Sequence, residues 1–327
     1  MGKKKCGHYS GIGGQAVLEG VMMKNKEEYA VSVRKPDGGI ETKKEKYEGI
    51  LSGRKITKLP FIRGVFNFID SMVLGMQTLT WSASFYEDEE AEETKADAAL
   101  DKVTKGNGEK LLMGLTVAFS IVLAVAIFIA LPFGISLLFQ RFIRNASLLA
   151  ILEGVVRLVI FLIYVAAIAS MKDIRRVYQY HGAEHKCINC VEHGKELNVK
   201  NVMKSSRFHK RCGTSFLLFV VLISILLFMF IRVDNPLLRL GLRILLIPVV
   251  AGISYEVLRL AGRTDNPLIN LISRPGLWLQ RLTTREPDES MVEVAIASVE
   301  AVFDWKAYLK DEFGYAGEDD AMEGSPS

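Results

Sequence analysis

The sequence predicts a mainly α-helical membrane protein: a multi-pass bundle of about four transmembrane helices with a small β-rich N-terminal cytoplasmic domain and an interfacial amphipathic helix. Three observations predict it. Residues 111–139 and 213–231 contain no charged side chain, and each run reaches the roughly 18 apolar residues of a spanning helix. Soluble helices keep a polar face, and these two have none. The basic residues gather at the ends of the apolar runs, and a strand–turn–strand pattern lies near the N-terminus.

Residues 1–59 are expected to form the β-rich domain. Tyr29 to Arg34 alternates, Pro36-Asp37-Gly38-Gly39 is a turn signal, and Ile40 to Tyr47 returns as a second strand. Gly11 to Gly14 with Gln15 lacks both the preceding strand and the following Lys-Ser/Thr of a nucleotide-binding loop, so it reads as a plain turn. No cleavable signal peptide is expected, because Met1-Gly2-Lys3-Lys4-Lys5 is followed by glycines and polar residues, not by an apolar core. Residues 60–86 are long and largely apolar but carry Arg63, Asn67, Asp70 and Gln77, which predicts a helix lying on the cytoplasmic leaflet. Arg63 and Asp70, on one helical face, are expected to be solvated. Residues 87–109 have the acidic, Gly-ended composition of a linker.

The four-helix region is expected at 110–263. Its second helix, Ala146 to Met171, contains only Glu153 and Arg157 as charged residues, four apart and able to neutralise each other on one face. The fourth, Leu237 to Leu260, has Arg239 and Arg243 before an uncharged stretch and Glu256 and Arg259 after it, positions from which the charges can snorkel. Pro132 and Pro248 interrupt runs that membrane helices tolerate. The loop at 172–212 divides the bundle; from Lys172 to Arg211 it holds ten Lys/Arg against four Asp/Glu, which places it, with both termini, on the cytoplasmic side. A C-terminal cytoplasmic segment at 264–310 is expected to contain a helix from Glu289 to Tyr308, with Met291, Val292, Val294, Ala295, Val299 and Val302 on its apolar side, followed by a disordered acidic tail at 311–327.

A net charge of +4 excludes a nucleic-acid surface, and the partner implied is the lipid bilayer of the cytoplasmic membrane. Cysteines facing the cytoplasm stay reduced, which favours metal ligation over disulfides.

The chemistry concentrates in Tyr180-His181-Gly182-Ala183-Glu184-His185-Lys186-Cys187-Ile188-Asn189-Cys190 and in Arg207-Phe208-His209-Lys210-Arg211-Cys212. With His193, this region holds four of the five histidines and three of the four cysteines. If the second membrane helix continues through it, His181 and His185 lie one turn apart and reach one ion. His181-x-x-Glu184-His185 has the inverted zinc-peptidase order, in which the Glu acts on metal-bound water. His209 supplies a third ligand and Cys212 a further one. A second scheme uses Cys187-x-x-Cys190 with His209-x-x-Cys212, a closed four-ligand zinc that would clasp the loop and leave no place for water. In the bland alternative, Glu184 pairs with a lysine and the histidines are ordinary polar residues. Leu-Glu-Gly-Val occurs at both 18–21 and 152–155, an echo too short to be a repeat.

Gly13-Gly14-Gln15-Ala16-Val17-Leu18-Glu19-Gly20-Val21-Met22-Met23, Tyr180 to Lys186, Arg211-Cys212-Gly213-Thr214-Ser215-Phe216 and Thr283-Thr284-Arg285-Glu286-Pro287 together resemble the YqhQ-like bacterial integral membrane family, the domain of unknown function 1385. The resemblance spans nearly the whole chain apart from the acidic linker and tail, and implies a predicted metal-dependent enzyme of the bacterial membrane. His181, Glu184, His185, His209 and Cys212 fall on its pattern, Lys210 stands where a proline is usual, and Cys187 and Cys190 are less firmly part of it. The expectation is a membrane-embedded hydrolytic enzyme with His181, His185, His209 and Cys212 around a divalent metal such as zinc, and Glu184 as general base. Its substrate would be a lipid-linked molecule or a membrane peptide. The competing expectation is a non-enzymatic scaffold or assembly factor held by structural zinc.

Overall fold

The computed structural model describes residues 8–49, 59–86, 108–231, 233, 235–263 and 266–315. All but the last two residues of the acidic linker, and the acidic tail beyond 315, lie outside the described residues. The chain divides into two compact units, one made of Met1–Tyr86, Val165–Phe219 and Ala251–Ser327, the other of Glu87–Tyr164 and Val220–Val250.

The first unit is built on a four-stranded antiparallel sheet, β1 (Gly13–Val17), β2 (Gly20–Asn25), β3 (Glu28–Arg34) and β4 (Ile40–Lys46), in sequential order. The Pro36–Gly39 turn joins β3 to β4, with Gly38 at φ +88° as a left-handed turn requires. Gly13 and Gly14 are not a turn: they open β1, with Gly14 opposite Met23 of β2. The sequence hid this strand because its glycines carry no side chains to show the alternation. β2 and β3 are buried on both faces. Val21, Met23 and Ala30 pack into one apolar core, and Val17, Met22, Tyr29, Val31 and Val33 into another with Leu74. The outer strand β4 is mostly exposed and rich in lysine, which discourages edge pairing.

Helix α1 (Ile62–Ala83) lies along the second of these cores. It approaches its neighbours through glycines: a Cβ at Gly75 would strike the Gln15 side chain, and one at Gly64 would sit 2.6 Å from Tyr255 Cβ. Arg63 is not simply solvated. Its Nε and a terminal nitrogen hold both carboxylate oxygens of Glu256, at 2.7 and 2.5 Å, the bidentate geometry that favours arginine. Asp70 accepts from the Tyr47 hydroxyl at 3.3 Å.

The second unit contains the apolar helix α2 (Leu111–Phe139), which passes through a π-helical turn at Ala126–Ala130. Helix α3 (Ala146–Ala169) follows. Here Glu153 accepts from Arg157 at 2.7 Å and also from Arg243, all three side chains being at most 4% exposed. Arg157 further donates to the Phe128 carbonyl in the π turn and to the Ser224 hydroxyl. Glu153 thus balances two cations, where the sequence suggested one. α2 and α3 are each long and apolar enough to cross a membrane, and α7 (Pro236–Leu245) with Ile247–Gly262 of α8 (Ile247–Arg263), bent by 42°, is so if the pair is one broken span, giving two or three candidates among the described residues.

The second apolar helix does not run on into the histidine region. It ends at Ala169; Met171 is extended, and a separate helix α4 (Lys172–Glu192) begins. After the short α5 (Val199–Met203), the third apolar stretch forms α6 (Gly213–Phe228), only 16 residues long. Helix α9 (Pro267–Thr283) follows α8. The C-terminal helix breaks in two, α10 (Glu289–Val302) and α11 (Trp305–Phe313), because Asp304 caps a new helix by accepting from the Ala307 amide at 3.0 Å. α11 continues through Asp311–Phe313, inside the stretch expected to be disordered. The predicted apolar side of α10 is buried against β2, β3 and α4 in a single core, so the N-terminal sheet and the C-terminal helices belong to one unit.

Candidate metal centre

His181, Glu184 and His185 share one face of α4, three and four residues apart. Two buried side chains on that helix fix the segment that returns to it. Lys186 donates to the carbonyls of Met203 and Ser205 at 2.8 and 2.9 Å, and Asn189 to those of Ser206 and Phe208 at 2.7 and 3.0 Å. Gln280 of α9, fully buried, clamps the same segment: its carbonyl accepts from the His209 amide at 2.9 Å and its amide donates to the His209 carbonyl at 2.7 Å. Cys212 is thereby delivered to the α4 face at the start of α6.

The ligand atoms of His181, His185 and Cys212 all lie within 4.8 Å of one another, the one such group of three among the described residues. His181 Nε2 is 3.2 Å from Cys212 Sγ. Roughly 3.3 to 3.7 Å separates ligand atoms around a tetrahedral zinc with bonds near 2.0 to 2.3 Å; the His181–Cys212 pair stands near that spacing, and no separation within the group exceeds 4.8 Å. Both rings are already oriented: His181 Nδ1 lies 2.8 Å from the Thr283 carbonyl and His185 Nδ1 lies 2.7 Å from the Arg207 carbonyl. A carbonyl can only accept, so each Nδ1 carries a proton and each ring presents its Nε2 to the cluster, the orientation of histidines that bind metals.

By themselves these side chains favour an imidazolium–thiolate pair, so binding of an ion would release the proton from His181 Nε2. Burial opposes the Cys212 thiolate, yet His181 and His185 beside it hold the thiol well below its ordinary range. Burial likewise pulls His181 down, but Cys212 and Glu184 outweigh it and raise the imidazole. Glu184 is 4% exposed, with a carboxylate oxygen 3.9 Å from His181 Nε2. Burial pushes its carboxyl up, against the opposing pull of His185 and His181. The Gly14 backbone amide donates to it, and a Cβ on Gly14 would stand 2.9 Å from Glu184 Cγ.

His209 is placed differently from the expectation. Its Nε2 faces a Glu192 carboxylate oxygen at 3.5 Å and Arg211 at 3.3 Å, and it lies outside the three-residue group. Cys187 and Cys190 are not brought to His209 and Cys212 either. They are two and five residues past His185, on the other side of one continuous helix, buried in the apolar core, with Cys190 Sγ donating to the Glu196 carbonyl at 3.3 Å. Among the described residues the three cysteines and one histidine of the clasp form no ligand group.

Sequence reasoning missed Gly14, Gln280 and Thr283. Thr283 and Gly14 stand inside strings that carry the family resemblance, which was their only signal; Gln280 had none. Gly182 is a further such position, where a Cβ would run into the Arg285 carbonyl and prise the 283–287 segment off α4.

Comparison with known proteins assigns the chain to a family. The family described as "Protein of unknown function (DUF1385)" matches residues 59–305. The chain belongs to that family. It is 37% identical over 288 residues to the uncharacterized protein YqhQ of Bacillus subtilis (strain 168), covering 88% of this chain and 90% of YqhQ. No solved structure matches. The site residues named above other than Gly14 lie inside the 59–305 region.

Proposed function

We propose that this protein is a metal-dependent hydrolase of the membrane surface, with His181, His185 and Cys212 binding one divalent ion, zinc in the first instance, and Glu184 as general base. One observation carries the reading. Two imidazoles with their Nδ1 protons committed to carbonyls turn their Nε2 atoms to a thiolate sulfur, with a buried carboxylate alongside. Three protein ligands leave a tetrahedral ion one position for water, the mark of catalytic sites as opposed to closed structural ones. The ion would supply a water acidified toward neutral pH. Glu184, held by the Gly14 amide, would take the proton and return it to the leaving group. Thr214 completes the surroundings of the sulfur, its amide 3.4 Å and its hydroxyl 3.1 Å from Cys212 Sγ.

The membrane arrangement belongs to the same proposal. α2, α3, α6 and the α7–α8 pair act as four spans, with α6 short and completed by its flanks. The 172–212 segment and both termini face the cytoplasm, because the basic excess lies there. α1 rests on the cytoplasmic leaflet through Ile69, Met76 and Leu79, which are exposed on its outer side.

The experiment is the metal content of purified wild type, Glu184→Gln and Cys212→Ser, with cellular function scored in a strain deleted for the gene. About one equivalent of metal in the wild type and in Glu184→Gln is expected, with function lost in the latter and metal lost in Cys212→Ser. A wild type free of stoichiometric metal refutes the reading. Function that survives chelation but not alkylation of Cys212 would instead assign the 3.2 Å Cys212–His181 pair as a nucleophile and its base.

A further inference from the structure

His181 of the candidate metal centre, together with Thr214, lines a cavity of about 830 Å³ within the first unit. Its composition is divided. Phe68 and Met72 of α1, Phe216 and Leu217 at the start of α6, and Leu258 of α8 make an apolar wall, with the rings of Phe68 and Phe216 5.2 Å apart. Lys24 and Lys26, from the end of β2, and Arg211 supply three cations. No carboxylate lines it among the described residues. Arg211 is already committed, paired with Glu192 and stacked 4.3 Å from the Tyr9 ring centroid. Lys24 is held in place, its amine 4.7 Å from the Tyr47 ring centroid with Asp70 close behind, and Lys26 is exposed on the hairpin turn.

We infer that this cavity binds an anionic amphiphile, its hydrocarbon chain against Phe68, Met72, Phe216 and Leu258 and its phosphate or carboxylate headgroup at Lys24 and Lys26. The size lies at the upper end for small-molecule sites, and an apolar wall that ends in lysines, with no carboxylate among its described lining residues, matches a ligand with one greasy end and one negative end. The outer side of the same α1 exposes Ile69, Met76 and Leu79, so the wall of the cavity is itself a surface suited to the bilayer from which such a ligand would be drawn. The inference names the substrate class of the hydrolase proposed above and rests on that reading for its chemistry, not for its binding.

Binding is therefore measured on full-length protein stripped of metal by chelator and held in a neutral detergent, by tryptophan fluorescence and native mass spectrometry. The ligands are 1-oleoyl lysophosphatidic acid, oleate, uncharged monoolein and glycerol 3-phosphate. Saturable binding of lysophosphatidic acid or oleate, at least tenfold tighter than monoolein and glycerol 3-phosphate, is expected. Lys24→Gln/Lys26→Gln, with unchanged circular dichroism confirming that the inner strand carrying Lys24 still folds, should reduce that affinity at least tenfold and leave monoolein unchanged. Equal binding of monoolein overturns the anionic head, equal binding of glycerol 3-phosphate overturns the chain, and no saturable binding overturns the site. Amphiphile binding by a protein that never carries stoichiometric metal would overturn the metal centre and leave this inference standing, whereas a zinc-loaded protein indifferent to all four ligands would do the reverse.

Discussion

Glu153→Gln should be among the most damaging single substitutions in the second unit. The carboxylate accepts from Arg157 and Arg243, and the exposures of the three residues are 2%, 3% and 3%. Glutamine keeps the shape and removes the charge, leaving two guanidiniums, which do not deprotonate in proteins, in a low-dielectric interior. Breaking a buried ion pair by removing one partner costs about 3 to 5 kcal/mol. The remaining contacts of Arg157, to the Phe128 carbonyl, the Ser224 hydroxyl and the Phe228 ring, orient it without neutralising it. Glu256→Gln is the control: it also removes a carboxylate held by an arginine, but that pair is 21–22% exposed and should cost about 1 kcal/mol or less. Denaturant unfolding in detergent micelles, followed by far-ultraviolet circular dichroism, measures both. A Glu153→Gln loss no larger than that of Glu256→Gln would refute the claim that Glu153 is the counter-ion for two buried cations.

Four further outcomes follow. Gly14→Val places a side chain against Glu184 Cγ and the Met22 carbonyl, and should abolish cellular function while metal content, set by other residues, stays near the wild-type level. Gln280→Leu removes both hydrogen bonds to the His209 backbone and leaves its buried amide and carbonyl unpaired, at about 2 to 4 kcal/mol by denaturant unfolding, with reduced metal occupancy. Cys187→Ala with Cys190→Ala should retain metal, since both cysteines sit in the apolar core; metal analysis that finds it lost restores the clasp. Burial opposes the charge on Glu192, but His209 and Arg211 overcome it and hold the carboxyl at about 2 against a usual 4.5. That depressed value means Glu192 stabilises the fold above pH 4.5, by about 3 kcal/mol, and loses this as pH falls toward 2. Wild type and Glu192→Gln should therefore differ in thermal unfolding at pH 6 and converge as the medium is acidified below pH 4.

The parts legible in the sequence were those written in one segment. An uncharged run marked α2 because nothing in it could face water, α3 was legible because its two charges lie four apart and neutralise each other, and Pro36–Gly39 marked a hairpin because those residues set the turn by themselves. His181-x-x-Glu184-His185 was readable since a helix repeats every three to four residues. Cys212 was legible only as a spaced partner, and the helix break at Met171 was not legible at all, since the loss of hydrophobicity there looks the same whether a helix ends or leaves the membrane. The position of His209 was not legible because its ring is set by Glu192 and Arg211, which have no sequence spacing to announce them. β1 and the clamp by Gln280 depend on tertiary contact, and a glycine or a buried amide shows its role only where another chain segment meets it.

X-ray absorption at the zinc edge of purified protein tests the central claim most directly. The three-ligand centre predicts two imidazole nitrogens at about 2.0 Å, one sulfur at about 2.3 Å and one further light atom, with the sulfur lost in Cys212→Ser. A protein without stoichiometric metal, or a shell with two or more sulfurs, would contradict it.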